Sequence, residues 1–428
     1  MATLTRYWDA VFAFLAAAAV AGVLTPFAGK LAQRVGAIAF PSARGLARKP
    51  TPLLGGLAIL AGLLVAALIW MPDTFNLQKA PHSGTIVGVV HTWPLIAGAV
   101  LIALVGAIDD IWDLKPIFKL AGQIIAAIVA VHAGATINDL TLPFVGSLQF
   151  TDAGGPLAVI WLVALMNIVN LSDGVDGLAA GVCTIDGITF AVIVFSVQGG
   201  TSAAAVLAAI TAGASLGFLV HNFYPAKIFM GDSGSNLLGY LLGVTAVIGT
   251  MKTSAVLALA GPLLILAVPF LDTGFVVAKR LKYGQRPWNA DANHFHHRMA
   301  RIGFSQRKTV FYLYAWTLML AGVVVALRFV PYSNHHGVYH VGWAVVMGGI
   351  LLAGAAASVY LVYVLEILKF KSARMIQLRR VDPDATDQDI EKTVERDVAT
   401  GEFDALDEEL PDAQDGEPPG HPEDERPE

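Results

Sequence analysis

The sequence predicts an all-α, polytopic membrane protein with about eleven transmembrane helices. Hydrophobic residues make up 55% of its 428 residues and charged residues only 14%, whereas a soluble domain carries about 25% charged residues. Several apolar runs reach about 18 residues or more, the length that crosses the hydrocarbon core of a bilayer. The sequence lacks the short alternating segments that are typical of a membrane β-barrel.

Apolar runs and helix-breaking residues give the order of the spans. The predicted boundaries are 10–29, 53–71, 87–107, 118–134, 156–170, 178–197, 203–221, 236–250, 254–278, 309–329 and 341–367. The first span follows no basic segment, so we expect it to be retained rather than cleaved as a signal peptide.

Charge divides the chain into two predicted domains. Residues 381–428 hold 19 of the 33 acidic residues and 3 of the 28 basic residues. Such an acidic, proline-rich segment is expected to be disordered. The prediction is a transmembrane domain over 1–380 and an acidic cytoplasmic tail over 381–428.

The distribution of Lys and Arg predicts the orientation. If the loop after the first span is cytoplasmic, then cytoplasmic segments carry 21 of the 25 Lys and Arg residues that precede the tail. The N-terminus then lies outside. Although only Lys and Arg were used, this orientation also puts every acidic and His-rich cluster on the cytoplasmic side, which indicates one composite site.

The first acidic cluster, Asp109, Asp110 and Asp113, follows the third span. If the helix continues, Asp109 and Asp113 lie one turn apart on one face. Adjacent carboxylates repel one another, which raises the pKa of one of them or recruits a cation, and such oxygen ligands suit Mg²⁺ or Mn²⁺ better than Zn²⁺. The alternative is an ordinary helix end, although three acidic residues oppose the helix dipole there.

The second cluster repeats an amide or a carboxylate every third residue, at Asn167, Asn170, Asp173 and Asp176. Helical spacing would align these side chains in one stripe, which could bind a nucleotide or hold a cation. A polar turn between two spans is the alternative.

A third segment runs from His221 to Ser235 and resembles a phosphate- or metal-binding turn. Small residues let the backbone approach a ligand, Asp232 is a good Mg²⁺ ligand and Phe229 could stack on a base. Simple packing is the alternative.

The fourth cluster, His294, His296, His297 and Arg298, lies in a basic loop. The cluster has no companion Cys or Glu at the spacing that zinc sites usually show. A pyrophosphate contact is the better interpretation.

Together, in this order, the four motifs resemble those of the polyprenyl-phosphate N-acetylhexosamine-1-phosphate transferases, glycosyltransferase family 4. The resemblance implies transfer of a sugar 1-phosphate from a UDP-sugar to a polyprenyl phosphate, with release of UMP, at the cytoplasmic face of a bacterial plasma membrane. It implies Mg²⁺, or Mn²⁺, as cofactor. The expected partners are the two substrates and the bilayer, without nucleic acid, and a homodimer stays open.

The resemblance also implies roles for individual residues. Asp232 and Asn170 would hold the metal, and Asp109 and Asp110 would handle or activate the polyprenyl phosphate. Asp173 and Asp176 would act on the nucleotide side of the catalytic site. The implied substrate-binding residues are Lys49, Thr51, Asn167, Asn170, Asn222, Phe229, His294, His296, His297 and Arg298.

The branch that uses UDP-GlcNAc is favoured by the Pro50-Thr51-Pro52 loop and by the His294-Phe295-His296 interruption of a His run. Upstream, Ala39, Ser42, Gly45 and Ala47 depart from the pattern of that branch, which leaves other UDP-N-acetylhexosamines and UDP-MurNAc-pentapeptide as alternatives. A non-enzymatic transporter would need polar groups on both membrane halves. The motif of the CDP-alcohol phosphotransferases does not occur.

Overall fold

The computed structural model describes residues 2–40, 49–76, 89–137, 139–142, 146–150, 152–198, 203–249, 305–330, 340–343 and 345–358, with 360, 378 and 393–394. The predicted span 254–278, the His-rich loop and nearly all of the predicted acidic tail lie outside these ranges. The chain divides into one unit of residues 1–297 and 305–355 and a second of residues 298–304 and 356–428. The site and the packing described below belong to the first unit.

Ten helices occur in the described ranges, and each overlaps one predicted span. They are α1 Ala2–Val35, α2 Gly55–Trp70, α3 Thr92–Trp112, α4 Pro116–His132, α5 Gly154–Ser172, α6 Leu178–Gln198, α7 Ala203–Asn222, α8 Gly231–Gly249, α9 Gln306–Phe329 and α10 Val341–Ser358. Of these described helices, seven are long and apolar enough to cross a membrane, and α2 and α4 are shorter apolar helices. The prediction of an all-α, polytopic membrane protein is confirmed at this level.

Three short antiparallel ribbons lie in the connections. They pair β1 Ile38–Ala39 with β2 Thr51–Pro52, β3 Thr74–Asn76 with β4 Val89–His91, and β5 Asp139–Leu142 with β6 Gly146–Gln149. Pairs of two to four residues are too short to show the alternation by which a strand is recognised in a sequence, and they were not predicted.

Helix α8 is the centre of the bundle. It packs against α2, α3, α4, α5, α6 and α7, and every residue from Ser233 to Gly249 is buried. Close packing depends on its glycines: a Cβ on Gly239 would lie 2.7 Å from the carbonyl oxygen of Leu165 on α5. The first turn of α8 is therefore held at a position set by its neighbours.

Helix α1 combines two surfaces. Its inner face meets α7 through small residues, so that a Cβ on Gly22 would lie 3.4 Å from the carbonyl oxygen of Gly217. Its outer face exposes large apolar side chains such as Trp8, Phe12 and Phe27. Close approach through glycine is typical of helix pairs in membranes, and an exposed apolar face suits contact with lipid.

Two helix ends differ from the prediction, and both bear on the site. Helix α3 ends at Trp112 because Asp113 adopts a left-handed conformation, φ 50°, in the short turn before Pro116 begins α4. The helix does not continue through Asp113, so the condition under which Asp109 and Asp113 would share a helical face is not met. Helix α8 begins at Gly231 rather than at 236, so Asp232 lies in a helical first turn and not in a loop.

Candidate active site

Four helix ends meet around the side chain of Lys119. The Lys119 ammonium, in the first turn of α4, pairs with the carboxylate of Asp232 at the start of α8. It lies 3.3 Å from Asn170 Oδ1 near the end of α5 and 3.5 Å from Asp109 Oδ2 near the end of α3. These four residues are called the Lys119 cluster below.

The amide of Asn170 fixes the orientation of the Asp232 carboxylate. Asn170 Nδ2 donates to Asp232 Oδ1 at 2.7 Å and to Ser235 Oγ at 2.8 Å. The other oxygen of Asp232 is left to Lys119. Because Asn170 turns its own Oδ1 to the same ammonium, the two side chains present oxygens to a common cation.

Asp110 acts on the backbone of the same turn. Its two carboxylate oxygens accept the N–H groups of Asp232 and Ser233, at 2.7 and 3.2 Å. A carboxylate on the first N–H groups of a helix satisfies free donors and favours the positive end of the helix dipole. Gly231 permits the contact, because its φ is +68° and a Cβ there would lie 2.7 Å from Asp110 Cγ.

A second set of contacts holds the turn that contains Asp176. The Asp176 carboxylate accepts the N–H of Ala226 at 2.9 Å, and Asn222 Oδ1 accepts the N–H of Gly177 at 3.0 Å. Asn222 Nδ2 donates to the carbonyl of Ile228 at 2.9 Å, and Tyr314 of α9 donates to the carbonyl of Gly177 at 2.5 Å. Asp176 and Asn222 thus join this turn to the loop that precedes α8.

The segment from Thr51 to Gly56 holds that loop from the other side. Phe229 N–H donates to the carbonyl of Pro52 at 2.9 Å, and Gly55 and Gly56 donate to the carbonyls of Phe229 and Met230 at 3.0 and 2.9 Å. Thr51 is buried and its hydroxyl donates to the carbonyl of Lys49, which is exposed. The side chain of Phe229 is half-buried.

Carboxylates are concentrated among the described residues at this end of the bundle. Five of them are Asp109, Asp110, Asp173, Asp176 and Asp232, and the Lys119 ammonium pairs with two, Asp109 and Asp232. Burial, together with the negative charges of Asp110 and Asp176, raises the pKa of Asp173 to about 7. An additional cation would relieve this repulsion.

The residues of the Lys119 cluster fit a divalent cation by their chemistry. Oxygens of Asp232, Asn170 and Asp109 already face one positive charge, and hard oxygen donors are the ligands of Mg²⁺. Within the described ranges, no group of three or more His, Cys, Asp and Glu side chains is arranged to hold a metal. A metal would therefore rely on Asp232 together with amide oxygen, substrate or water.

The structure brings most of the sequence-predicted residues to one end of the bundle. Asp109, Asp110, Asn170, Asp173, Asp176 and Asp232 lie there, and Asn167 lies one turn further into α5. Their individual roles stay predictions, and so do substrate contacts by Lys49, Thr51, Asn222 and Phe229. His294, His296, His297 and Arg298 lie outside the described residues.

Two contributors were missed by the sequence interpretation. Lys119 was counted only as a basic residue that sets topology, and Ser235 only as a small residue of the motif. A lysine one turn into an apolar helix, ten residues after Asp109, is the signal that could have identified the first. Asp186, for which the sequence predicts no role, is fully buried in α6, and among the described residues neither of its carboxylate oxygens has a hydrogen-bond partner.

Comparison with known proteins gives the same region a family. The family model described as glycosyl transferase family 4 matches residues 92–250, which include the whole Lys119 cluster. A decaprenyl-phosphate N-acetylglucosaminephosphotransferase of Mycobacterium tuberculosis is 36% identical over 363 residues, 78% of this chain and 86% of that protein.

Two further relatives differ from each other in the sugar that their names specify. A probable undecaprenyl-phosphate N-acetylglucosaminyl 1-phosphate transferase of Bacillus subtilis is 33% identical over 305 residues, 71% of this chain and 81% of its own length. A phospho-N-acetylmuramoyl-pentapeptide-transferase of Desulforamulus reducens is 31% identical over 304 residues, 66% of this chain and 84% of its own. With relatives of this identity and coverage, the chain belongs to glycosyl transferase family 4.

Proposed function

We propose that this protein transfers N-acetylglucosamine 1-phosphate from UDP-GlcNAc to a polyprenyl phosphate, and so begins a lipid-linked glycan of the cell envelope. The observation that carries the proposal is the Lys119 cluster, because it concentrates carboxylates and one ammonium at a single end of a membrane bundle. The names of the Mycobacterium tuberculosis and Bacillus subtilis relatives support N-acetylglucosamine as the sugar.

The proposed reaction needs two anionic substrates to meet. An oxygen of the polyprenyl phosphate attacks the β-phosphorus of the UDP-sugar, the bond between that phosphorus and the bridging oxygen breaks, and UMP leaves with the bridging oxygen. Charge on the phosphate oxygens is the main obstacle to such a transfer. Lys119 lies where it can offset part of that charge, and Asn170 and Asp110 hold Asp232 in a fixed orientation beside it.

We propose Mg²⁺ as cofactor, with Mn²⁺ able to replace it, and Asp232 and Asn170 as the residues that hold it. When bound, the ion would neutralise diphosphate charge and stabilise the departing UMP. Asp109 would keep Lys119 oriented, and Asp173 would lie on the nucleotide side. The basic His294–Arg298 loop would contribute to the contacts with the diphosphate.

The finer topology is also a proposal. It has eleven spans, an N-terminus outside, the Lys119 cluster at the cytoplasmic face of a bacterial plasma membrane and an acidic tail over 381–428. The asymmetry of Lys and Arg supports this orientation. A soluble nucleotide-sugar and a membrane lipid can meet only at such a surface.

The test is turnover by purified protein in detergent with undecaprenyl or decaprenyl phosphate, UDP-GlcNAc and Mg²⁺. We expect UMP and a lipid-linked sugar phosphate in equal amounts, both abolished by EDTA and restored by excess Mg²⁺. UDP-MurNAc-pentapeptide and other UDP-N-acetylhexosamines serve as competing donors. Turnover with one of these and not with UDP-GlcNAc would refute the proposed sugar, and no turnover by folded protein with any donor would refute the reaction.

A further inference from the structure

Three amides lie one helical turn below the Lys119 cluster, two of them buried and the third, Asn167, half-buried. Gln123 follows Lys119 by four residues on α4, Asn167 precedes Asn170 by three on α5, and Asn236 follows Asp232 by four on α8. Each member of the cluster that is not on α3 thus has an amide beneath it on its own helix. These three amides are called the amide triad below.

The triad forms a directed chain of hydrogen bonds. Asn167 Nδ2 donates to Gln123 Oε1 at 2.8 Å, and Gln123 Nε2 donates to Asn236 Oδ1 at 2.8 Å. Asn236 Nδ2 then donates to the main-chain carbonyl of Asp232 at 2.8 Å. The chain begins on the helix of Asn170, crosses the helix of Lys119 and ends on the residue Asp232 itself.

Burial makes this arrangement costly unless every link is present. Gln123 and Asn236 are each 1% exposed, and a buried amide that loses its partner is destabilising. Apolar side chains would fill the same space between three helices without that risk. A fully connected polar network instead specifies one relative position of the helices that carry it.

We propose that the amide triad positions Lys119, Asn170 and Asp232 for cation and diphosphate binding, so that Gln123 and Asn236 are positioning residues of the proposed reaction. Asn167 then acts through Gln123 rather than by touching a substrate. This inference rests on the proposed function. It adds Gln123 and Asn236, which belong neither to the predicted motif residues nor to the Lys119 cluster. Outer partners that orient ligands typically change metal affinity or activity by about 10–100-fold when removed.

The test compares Gln123→Met, which removes both links of Gln123 at similar side-chain length, with a matched control on α8. Tyr240→Phe removes another buried interhelical hydrogen bond, from Tyr240 Oη to the carbonyl of Leu95 at 2.9 Å, two turns away from Asp232. Three quantities are measured in detergent: kcat and KM with UDP-GlcNAc, Mn²⁺ affinity by electron paramagnetic resonance, and Tm.

We expect Gln123→Met to lower kcat and Mn²⁺ affinity by about 10-fold or more with KM for UDP-GlcNAc unchanged. Tyr240→Phe should lower Tm alone. Asn167→Leu leaves the Gln123–Asn236–Asp232 links intact and should lower kcat and Mn²⁺ affinity by a smaller factor. If Gln123→Met does not fold, Asn167→Leu is the variant that tests the inference. The inference is overturned if these variants lose only Tm, as the control does, or lose nothing.

Failure of the proposed function has a different signature. Wild-type protein that binds Mn²⁺ but releases no UMP refutes the proposed reaction, while a loss of Mn²⁺ affinity in Gln123→Met still supports the triad. Wild-type protein that turns over UDP-GlcNAc, with Gln123→Met equal to it in kcat and Mn²⁺ affinity, refutes the triad alone. Wild-type protein that neither turns over nor binds Mn²⁺ overturns both.

Discussion

Aspartates at one end of the helical bundle and a single aspartate in the middle of α6 are partnered in opposite ways. At one end, Asp109, Asp110 and Asp232 each bind a donor from another part of the chain: Lys119, the first N–H groups of α8, or an amide of α5. In the middle of α6, Asp186 is fully buried, and within the part of the chain that the structure describes neither of its carboxylate oxygens has a hydrogen-bond partner.

The difference shows that the location of an aspartate in the bundle, and not the carboxyl group alone, decides whether it belongs to a site. A carboxylate inside a membrane-spanning segment is costly, and several carboxylates become a site only where helix ends bring donors and a cation to the same point. The end of the bundle meets that condition, because the ends of α3 and α5 and the starts of α4 and α8 converge there. The centre of α6 does not meet it.

The largest expected effect is on turnover when Asp232 loses its charge. Asp232→Asn keeps the shape of the side chain but removes a ligand of the proposed cation and the partner of Lys119. Because such a cation supplies several kcal/mol to the transition state, kcat should fall by at least about 100-fold. UMP release measures it.

Asp186→Asn is the matched control for that substitution, since it makes the same chemical change in a membrane helix away from the cluster. Its kcat should equal that of the wild type. Equal losses of kcat in the two variants would contradict the distinction between Asp232 and Asp186.

The next effect concerns the contact between Asp110 and the start of α8. Gly231→Ala places a methyl group against the Asp110 carboxylate and retains a left-handed residue, φ +68°. Backbone strain and overpacking together should lower the free energy of unfolding by about 3 kcal/mol. Thermal unfolding in detergent measures the change, and kcat should fall with it because Asp232 shifts.

The Gly36→Ala variant provides a reference for Gly231→Ala. Gly36 also has a positive φ, +79°, but a Cβ there meets nothing within 4 Å. Gly36→Ala should lower the free energy of unfolding only by the backbone strain, about 1–2 kcal/mol, and leave kcat unaltered. If the two variants behave alike, the contact with Asp110 contributes nothing.

A gain in stability is expected at the buried carboxyl group of Asp186. Asp186→Ala removes two buried oxygens that have no hydrogen bond to any residue the structure describes, and burying such polar groups costs about 1–3 kcal/mol in proteins. Part of this gain is offset by the small void, so Tm should rise modestly with kcat unchanged. A fall in Tm together with lost turnover would show that Asp186 has a role that its surroundings do not reveal.

A pH dependence of stability is expected from Asp173. Its folded-state pKa is about 7, above the ordinary value of 3.8, because the group is desolvated and lies near Asp110 and Asp176. Between these two values the folded protein keeps a proton that the unfolded chain has lost, so this residue makes stability fall as pH rises through that window and has no further effect above it. The Tm of the wild type relative to Asp173→Asn should therefore be higher at pH 5 than at pH 8, and the opposite trend would contradict this environment for Asp173.

The sequence predicted the described helices and the meeting of the first three motifs well, for a physical reason. Membrane spans are recognised by their length and apolarity, and the membrane restricts charged groups to few places. The proximity of Asp109, Asn170 and Asp232 could therefore be anticipated. The start of α8 could not, because it depends on Asp110, which is 122 residues away from Asp232.

Residues whose role depends on tertiary contacts were also missed. Lys119 is indistinguishable from any basic residue at a membrane surface until α3, α5 and α8 are placed around it. Gln123 and Asn236 lie outside the spacing of the motif residues, and only their meeting at 2.8 Å identifies them as a pair.

The most direct measurement of the central claim follows phosphorus through the reaction. UDP-GlcNAc labelled at the β-phosphorus is incubated with the purified protein, polyprenyl phosphate and Mg²⁺, and the lipid and aqueous fractions are counted for wild type, Asp232→Asn and Asp186→Asn. The account predicts label in the lipid and none in UMP for wild type and Asp186→Asn, with transfer lost in Asp232→Asn. Label that stays in the aqueous phase, or transfer that survives in Asp232→Asn, would contradict it.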